Sequence, residues 1–295
     1  MSDSGEGGAP QKDPPFRIEI PRDKVNAVLS PEIIGPLVLL VALIVFSFLP
    51  WVSTGGASAS GWSLGIWFAG GFSFWLSLAL ILVTVSHVLS GKSGLLFLRT
   101  PMIIVQFFAV FGIFIFSVTT STISPGYGLI VSLVASVVLV FIQVRSLAPV
   151  KRLRAFDTDA PTDAGIFVLL SCGIGATFLP WSFGWGAGFH AMIPGWELGW
   201  GVGKYYFVVA LASFVMFAYS RLQNHTFSKQ VSGLLCLLAC FFVLLGLLKA
   251  CLGSPGFSSA PNFGILFGLF IQVWCARILL GRNLSSIVKF VSTPT

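Results

Sequence analysis

Long apolar stretches, separated by short polar connections, run through this chain from about residue 32 to its end. A stretch of about 18 or more apolar residues is long enough to cross the hydrocarbon core of a bilayer as a helix. The pattern predicts about eight such spans, at 32–50, 64–89, 101–119, 127–145, 164–181, 201–220, 230–250 and 262–281. We therefore predict an all-α, polytopic membrane protein.

The second half of the chain repeats the first. The motif Phe-Leu-Pro-Trp at 48–51 returns at 178–181, and the Gly-Trp-x-Leu-Gly motif at 61–65 returns at 195–199. Ser-Pro-Gly at 124–126 and Phe-Ile-Gln-Val at 141–144 also return, at 254–256 and 270–273. Four matches in one order, at shifts of 129 to 134 residues, indicate a duplicated unit.

Each copy holds four predicted spans, so both copies should enter the membrane in the same direction. We expect two parallel four-helix bundles side by side, related by a pseudo-two-fold axis along the membrane normal. The predicted parts are a cytoplasmic tail that is disordered and then interfacial, the first repeat, a cytoplasmic linker, the second repeat and a second cytoplasmic tail. Their bounds are 1–29, 30–145, 146–163, 164–282 and 283–295.

Polar residues next to proline mark several predicted helix starts. Ser30-Pro31, Thr100-Pro101 and Ser124-Pro125 each combine a side chain that can cap a helix with a proline suited to its first position. At the start of the fifth span, either Thr162 or Asp163 is the predicted cap.

The composition excludes a water-soluble domain, and the charges predict an orientation. Only 9% of the residues are charged, 56% are hydrophobic, and the mean hydropathy is +0.93. Fifteen of the Lys and Arg residues fall on the side predicted for both termini, against Lys204 and Lys249 on the other. This bias predicts a cell (inner) membrane protein with both termini in the cytoplasm. The net charge of +7 is then a topological signal, and nucleic acid is not an expected partner.

The sequence contains no recognisable catalytic motif, so we predict no enzyme, cofactor or metal site. Its three histidines lie near span ends or in loops, and His87 corresponds to Arg221 in the repeat. This arrangement does not suit a haem held by two facing histidines. The five cysteines fall in predicted spans or at their ends, where we interpret them as small apolar packing groups.

A few polar side chains near or inside the spans are candidates for transport or ligand binding. They are Gln106, Glu197, Lys204 and Lys249. A salt bridge at the start of the sixth span is the alternative for Glu197 and Lys204. Gln143 and Gln272 match each other in the repeat, and we expect their amides to bond across helices.

Tryptophan and glycine positions are candidates for partner contacts or for helix packing. Trp51 and Trp181 end the first span of each repeat, where they predict either an aromatic belt at head-group level or a docking surface. Small residues at four-residue spacing allow close helix packing within the protein or against a partner. The positions concerned are Gly195, Gly199, Gly203, Gly264 and Gly268.

Two functional hypotheses follow. The first is a non-catalytic structural, assembly or accessory subunit of a membrane complex, whose partners are the lipid bilayer and another membrane protein or further copies of itself. The second is a small transporter or channel with its path between the two repeats, and a hydrophobic or lipid molecule is one candidate cargo. The scarcity of charge at membrane depth favours the first hypothesis.

Overall fold

The computed structural model of the chain describes residues 31–61, 67–90, 98–147, 162–186, 189–195, 202–223, 226–252 and 258–281. This part is predominantly helical, and each predicted span coincides with one helix. The helices are α1 (Pro31–Phe46), α2 (Trp67–Ser90), α3 (Arg99–Thr119), α4 (Tyr127–Leu147), α5 (Asp163–Gly175), α6 (Val202–Gln223), α7 (Thr226–Leu252) and α8 (Phe263–Leu280). A single 3₁₀ turn, Ala176–Phe178, extends α5.

Five of these helices, α2, α3, α6, α7 and α8, contain a segment long and apolar enough to cross a membrane. The others, α1, α4 and α5, contain shorter apolar segments, Ile33–Phe46, Tyr127–Gln143 and Asp163–Phe178. The structure therefore has helices compatible with a multi-pass membrane protein. Helices α1 and α5 end earlier than the predicted spans 32–50 and 164–181, at Phe46 and Gly175. The predicted tails, 1–29 and 283–295, and most of the predicted linker, 146–163, lie outside the described residues.

The helices form two rings of four. In the first ring, α1 and α3 each pack against both α2 and α4. In the second ring, α5 and α7 each pack against both α6 and α8. We call the first ring with its strands unit 1 and the second ring with its strands unit 2.

Each unit also carries a three-stranded antiparallel sheet, so the all-α prediction is wrong at this end of the molecule. Unit 1 contains β1 (Pro50–Thr54), β2 (Ala57–Ser60) and β3 (Ser124–Pro125), in the order β2-β1-β3. Unit 2 contains β4 (Pro180–Gly186), β5 (Phe189–Pro194) and β6 (Ser258–Pro261), in the order β5-β4-β6. The strands of unit 1 are short and rich in Ser and Ala, so they lack the alternating apolar pattern by which strands are recognised. In β4, Trp181, Phe183 and Trp185 do alternate with small residues, a strand pattern that the span prediction over 164–181 passed over.

Helix starts agree with the sequence in part. The Thr162 hydroxyl accepts a hydrogen bond from the Gly165 amide at 3.2 Å, which confirms this cap. The prediction at Thr100 is wrong, because α3 already begins at Arg99. The prediction at Ser124 is also wrong, because Ser124 and Pro125 pair with β1 and α4 begins two residues later, at Tyr127.

The two units share one hydrophobic core, instead of standing as separate bundles. The shared core comprises Trp51, Val52, Val105, Ala109, Val110, Ile113 and Leu129 of unit 1 with Ile174, Phe178, Trp181, Tyr206, Ala210, Ala239, Val243 and Ile265 of unit 2. Two further clusters lie within single units, one around Leu40 and Leu139 and the other around Phe167 and Cys275. The units therefore bury apolar surface against each other along the half that carries the sheets.

The contact between the units is one-sided. Helix α3 of unit 1 packs along α5 of unit 2 and also contacts β5. The repeat counterparts of these two helices, α7 and α1, make no comparable contact. A two-fold axis would exchange the units and create both contacts, so the predicted two-fold relation is wrong. In the contact between α3 and α5, Gly112 lies against the Phe178 carbonyl, and Gly175 lies against the Phe108 ring.

Candidate functional site

A buried tryptophan closes the sheet end of each unit. The Trp181 indole Nε1 donates to the Ala176 carbonyl at 2.8 Å, and the Trp51 indole Nε1 donates to the Phe46 carbonyl at 2.8 Å. Both side chains are 0% exposed. We call each of them a Trp plug. The two plugs have the same geometry, because in each case the donor bonds a carbonyl five residues earlier.

The chain folds tightly over each plug. A Cβ at Gly61 would lie 3.0 Å from the Trp51 ring, and one at Gly195 would lie 2.5 Å from the Trp181 ring. The carbonyl of each tryptophan accepts a backbone hydrogen bond, from Gly126 at 2.7 Å and from Asn262 at 2.8 Å. Both predictions for these tryptophans, a lipid-facing belt and a docking surface, are therefore wrong. The prolines before them turn the chain inward over the bundle.

Three glutamines bond across helices, as the sequence predicts for Gln143 and Gln272 but not for Gln106, which was a transport or ligand candidate. The amide of the fully buried Gln106 donates to the hydroxyls of Ser77 at 2.7 Å and Ser73 at 3.3 Å, which joins α3 to α2. The Gln143 amide donates to the Thr100 hydroxyl at 2.7 Å. The Gln272 amide donates to the Tyr206 hydroxyl at 3.2 Å. All three side chains thus act as links between helices.

The predicted equivalence of Gln143 and Gln272 is wrong. Pro125 pairs with Val52, and Pro261 pairs with Ser182, so α4 and α8 correspond at a shift of 136 residues. At this shift Gln272 matches Ser136. The burial pattern agrees, since Leu129 and Ile265 are both 0% exposed. The repeated Phe-Ile-Gln-Val motif therefore lies about two helical turns apart in the two units.

Tyr206 is the polar residue that the sequence analysis missed. Its hydroxyl donates to the Gly173 carbonyl at 2.6 Å and accepts from Gln272, so it joins α5, α6 and α8. Two more residues form a reciprocal link between α6 and α7: each hydroxyl of Ser213 and Ser232 bonds the other residue's carbonyl, at 3.0 and 2.8 Å. Tyr206, Ser213 and Ser232 could have been found because each carries a hydroxyl within an otherwise apolar span, and Tyr206 and Ser213 are seven residues, or two helical turns, apart.

The described candidates for ligand binding do not form a site. Lys204 is exposed in the first turn of α6, and Lys249 is half-buried in the last turn of α7. Glu197 lies outside the described residues, as does Gly199. In the described part of the chain, no three His, Cys, Asp or Glu side chains are arranged to hold a metal ion.

The small-residue positions are used for packing inside the protein. Gly264 lies against the Pro180 carbonyl. A Cβ placed on Gly264 would lie 2.8 Å from the Leu179 side chain. Gly268 faces Ala176 and Tyr206, and Gly203 is buried near the start of α6. A partner that docks through these glycines would need them at the surface, so they indicate internal contacts.

A shallow polar cleft of about 300 Å³ lies on the sheet of unit 1. It is lined by residues 53–56 of the β1–β2 hairpin and by residues 121–124. The hairpin turns at Gly55 and Gly56, whose φ angles of +49° and +98° favour glycine. Its hydroxyl and backbone groups carry no charge, and the cleft therefore offers only neutral hydrogen bonds.

Comparisons with protein-family models, with curated proteins and with solved structures found no match for this chain. Its function is therefore argued from the geometry alone.

Proposed function

We propose that this chain is a multi-pass membrane protein built from two tandem copies of one four-helix unit, with eight spans, and that it acts as a non-catalytic structural, assembly or accessory subunit of a membrane complex. The like rings of helices, the like sheet orders and the two Trp plugs support the duplication. The Phe-Leu-Pro-Trp motifs, which contain the two Trp plugs, and the equivalent glycines Gly61 and Gly195, which lie over the plugs, are repeated in the sequence and support it independently.

The observation that carries the structural role is the filling of the interior. The shared core occupies the space between the units, and a Trp plug occupies the sheet end of each bundle. A transport path between the units would have to pass between Phe108 and Gly175 and between Gly112 and Phe178, where the atoms are in close contact. These contacts favour a structural role over the transporter hypothesis.

The described charges also support this role. The ion pair between Asp163 and Arg221, at 3.0 Å, joins the start of α5 to the last turn of α6. Arg99, Arg145, Lys229 and Arg277 also lie near helix ends. Charged groups at membrane depth usually mark ion or substrate pathways. Here the described charges occupy positions from which they reach water.

A reconstitution experiment tests the proposed role. The full chain would be purified in mild detergent and placed in liposomes, and we expect neither proton flux, potassium flux nor scrambling of a fluorescent phospholipid above the level of empty liposomes. The same preparation, before reconstitution, should contain a second membrane protein or further copies of the chain at fixed stoichiometry. Any of the three transport activities, abolished by heat denaturation, would replace this proposal with the transporter hypothesis.

The proposed topology, with both termini in the cytoplasm, has its own test. Single cysteines at Ser58 and Ala155, introduced where Cys251 is replaced by serine, would be probed with an impermeant thiol reagent. We expect Ser58→Cys to react from outside the cell and Ala155→Cys to react only after lysis. Reaction of both from the same side would contradict the arrangement of three spans between them.

A further inference from the structure

Two apolar helix faces at the far ends of the molecule are the repeat counterparts of the two faces that join its units. Within unit 1, α1 lies across the ring from α3, and within unit 2, α7 lies across the ring from α5. The contact between α3 and α5 is buried, whereas the matching faces of α7 and α1 are open. The surface of the chain thus carries one face equivalent to that of α3 and another equivalent to that of α5.

The open face of α1 matches the buried face of α5 position by position. Val38, Val41, Val45 and Phe48 are 61%, 51%, 53% and 60% exposed. The spacing of three and four residues places Val38, Val41 and Val45 along one side of α1, and Phe48 follows in the turn after the helix ends at Phe46. At the shift of 130 that relates the two Trp plugs, the counterparts are Val168, Ser171, Gly175 and Phe178, of which the last three are buried.

The open face of α7 matches the partner face of α3 in the same way. Leu234, Leu238 and Phe241 are exposed, while their counterparts Ile104, Phe108 and Phe111 are partly buried. The shift is supported by burial, since Ala109 and Ala239 are both 0% exposed.

The side chains that would meet are complementary in size. In the internal contact a large residue, Phe108, lies against the smallest one, Gly175. In the open faces the same two positions hold Leu238 and Val45. Leu238 is smaller than Phe108, and Val45 is larger than Gly175 by a similar volume, so the pair would occupy about the same space. Nearer the sheets, Phe242 replaces Gly112, and the helices would separate more there than α3 and α5 do.

We propose that α1 of one chain docks on α7 of a second copy, and that this contact repeats the packing of α5 on α3. The contact joins two different faces, so it is head-to-tail, and repetition produces a ring or an open chain of copies. The proposal rests on the duplicated architecture and the assembly role proposed above. The partner in that assembly is a second copy of this chain.

Cysteine cross-linking in native membranes tests the contact. The chain would carry Val45→Cys and Leu238→Cys together, in a background where the exposed Cys251 is replaced by serine. Oxidation should yield a ladder of dimers and larger multimers. Neither single variant should yield a dimer, because a head-to-tail contact brings position 45 only against position 238. Dimers from Val45→Cys alone, or a monomer from the double variant, would overturn the proposal.

A bulky substitution provides the second measurement. Val45→Trp should convert the assembly to monomers, as measured by light scattering corrected for detergent. Val137→Trp, on the open face of α4, is the matched control and should leave the mass unchanged. An unchanged mass for both variants would contradict the contact. A monomeric chain that still copurifies with a different membrane protein would refute this inference and leave the proposed function standing.

Discussion

Helices α1 and α5 occupy the same place in their units but different places in the molecule. Helix α1 exposes a side of valines and a phenylalanine, whereas α5 is buried on nearly every side. The sequences differ where the environments differ: Val41 and Val45 correspond to Ser171 and Gly175. A duplicated helix that becomes central can lose large apolar side chains, because neighbouring helices then supply the contacts that lipid supplied.

The sheets differ in the same sense. Unit 1 has a short hairpin with a two-glycine turn, while unit 2 has a longer hairpin whose β5 packs against α3 of the other unit. The extra residues of the second copy therefore extend toward its neighbour. Divergence between the copies is concentrated where one unit meets the other.

The largest expected effect tests whether the two Trp plugs are equivalent. Trp51→Ala and Trp181→Ala each remove a large, fully buried ring and its hydrogen bond, and each should lower stability by about 3–5 kcal/mol. Urea denaturation in mild detergent, followed by near-ultraviolet circular dichroism, measures this loss. Similar values would support equivalent plugs. A loss of less than about 1 kcal/mol for one of them would break the comparison.

The next effect separates the internal contact from its open counterpart. Gly112→Leu places a side chain against the Phe178 carbonyl and should destabilise the protein by about 1–3 kcal/mol through overpacking. The matched control, Phe242→Leu, changes the repeat counterpart and should have a smaller effect. Thermal unfolding in detergent distinguishes the two variants. An equal or larger loss for the control would show that the contact between the units does not depend on Gly112.

A third pair of variants compares the polar links of the two units. Tyr206→Phe removes the bond to Gly173 and leaves the buried Gln272 amide unpaired, at a cost of about 1–3 kcal/mol. Gln106→Leu should cost about 0.6 kcal/mol, because Ser77 keeps its bond to the Ser73 carbonyl at 2.8 Å. Chemical denaturation of both variants under one condition measures the difference, and the reverse order would contradict it.

The smallest effect concerns the ion pair found in unit 2. Asp163→Asn should cost about 0.2–1 kcal/mol at low salt and less at high salt, because both partners are substantially exposed. The matched control, Arg145→Gln, alters an exposed cation of unit 1 and should change stability less. A loss of stability for Asp163→Asn that is independent of salt would indicate a role other than ion pairing.

Helix positions could be predicted from the sequence, because a span needs only length and apolar composition. Each predicted span contains one helix of the structure, and the Thr162 cap is where the sequence placed it. The sheet of unit 1 could not be predicted, because hydrogen bonds between short strands distant in sequence, such as those at Ser53 and Ser124, leave no local periodicity. In unit 2, the alternation of Trp181, Phe183 and Trp185 along β4 was a usable strand signal.

The candidate residues show the same limit. The sequence correctly predicted cross-helix bonds for Gln143 and Gln272 but could not name their partners. It offered Gln106 as a transport or ligand candidate, whereas the Gln106 amide bonds Ser77 and Ser73 of the neighbouring helix. It correctly placed Trp51 and Trp181 at one end of each bundle, but it predicted that they lie at the surface, whereas both are buried. Whether a tryptophan at the end of a span points outward or inward depends on the chain that follows it. Here Gly61 and Gly195 allow the following chain to pack directly over the two rings.

The enclosure of α5 has a consequence for biogenesis. This helix receives its polar partners from later segments, with Tyr206 on α6 and Gln272 on α8. During synthesis, α5 follows α3, which it packs along, but it leaves the translocon before α6 and α8 have been made. The packing around α5 is complete only when the last helix has been inserted. Chains truncated before α8 should therefore remain incompletely folded and be degraded by membrane proteases.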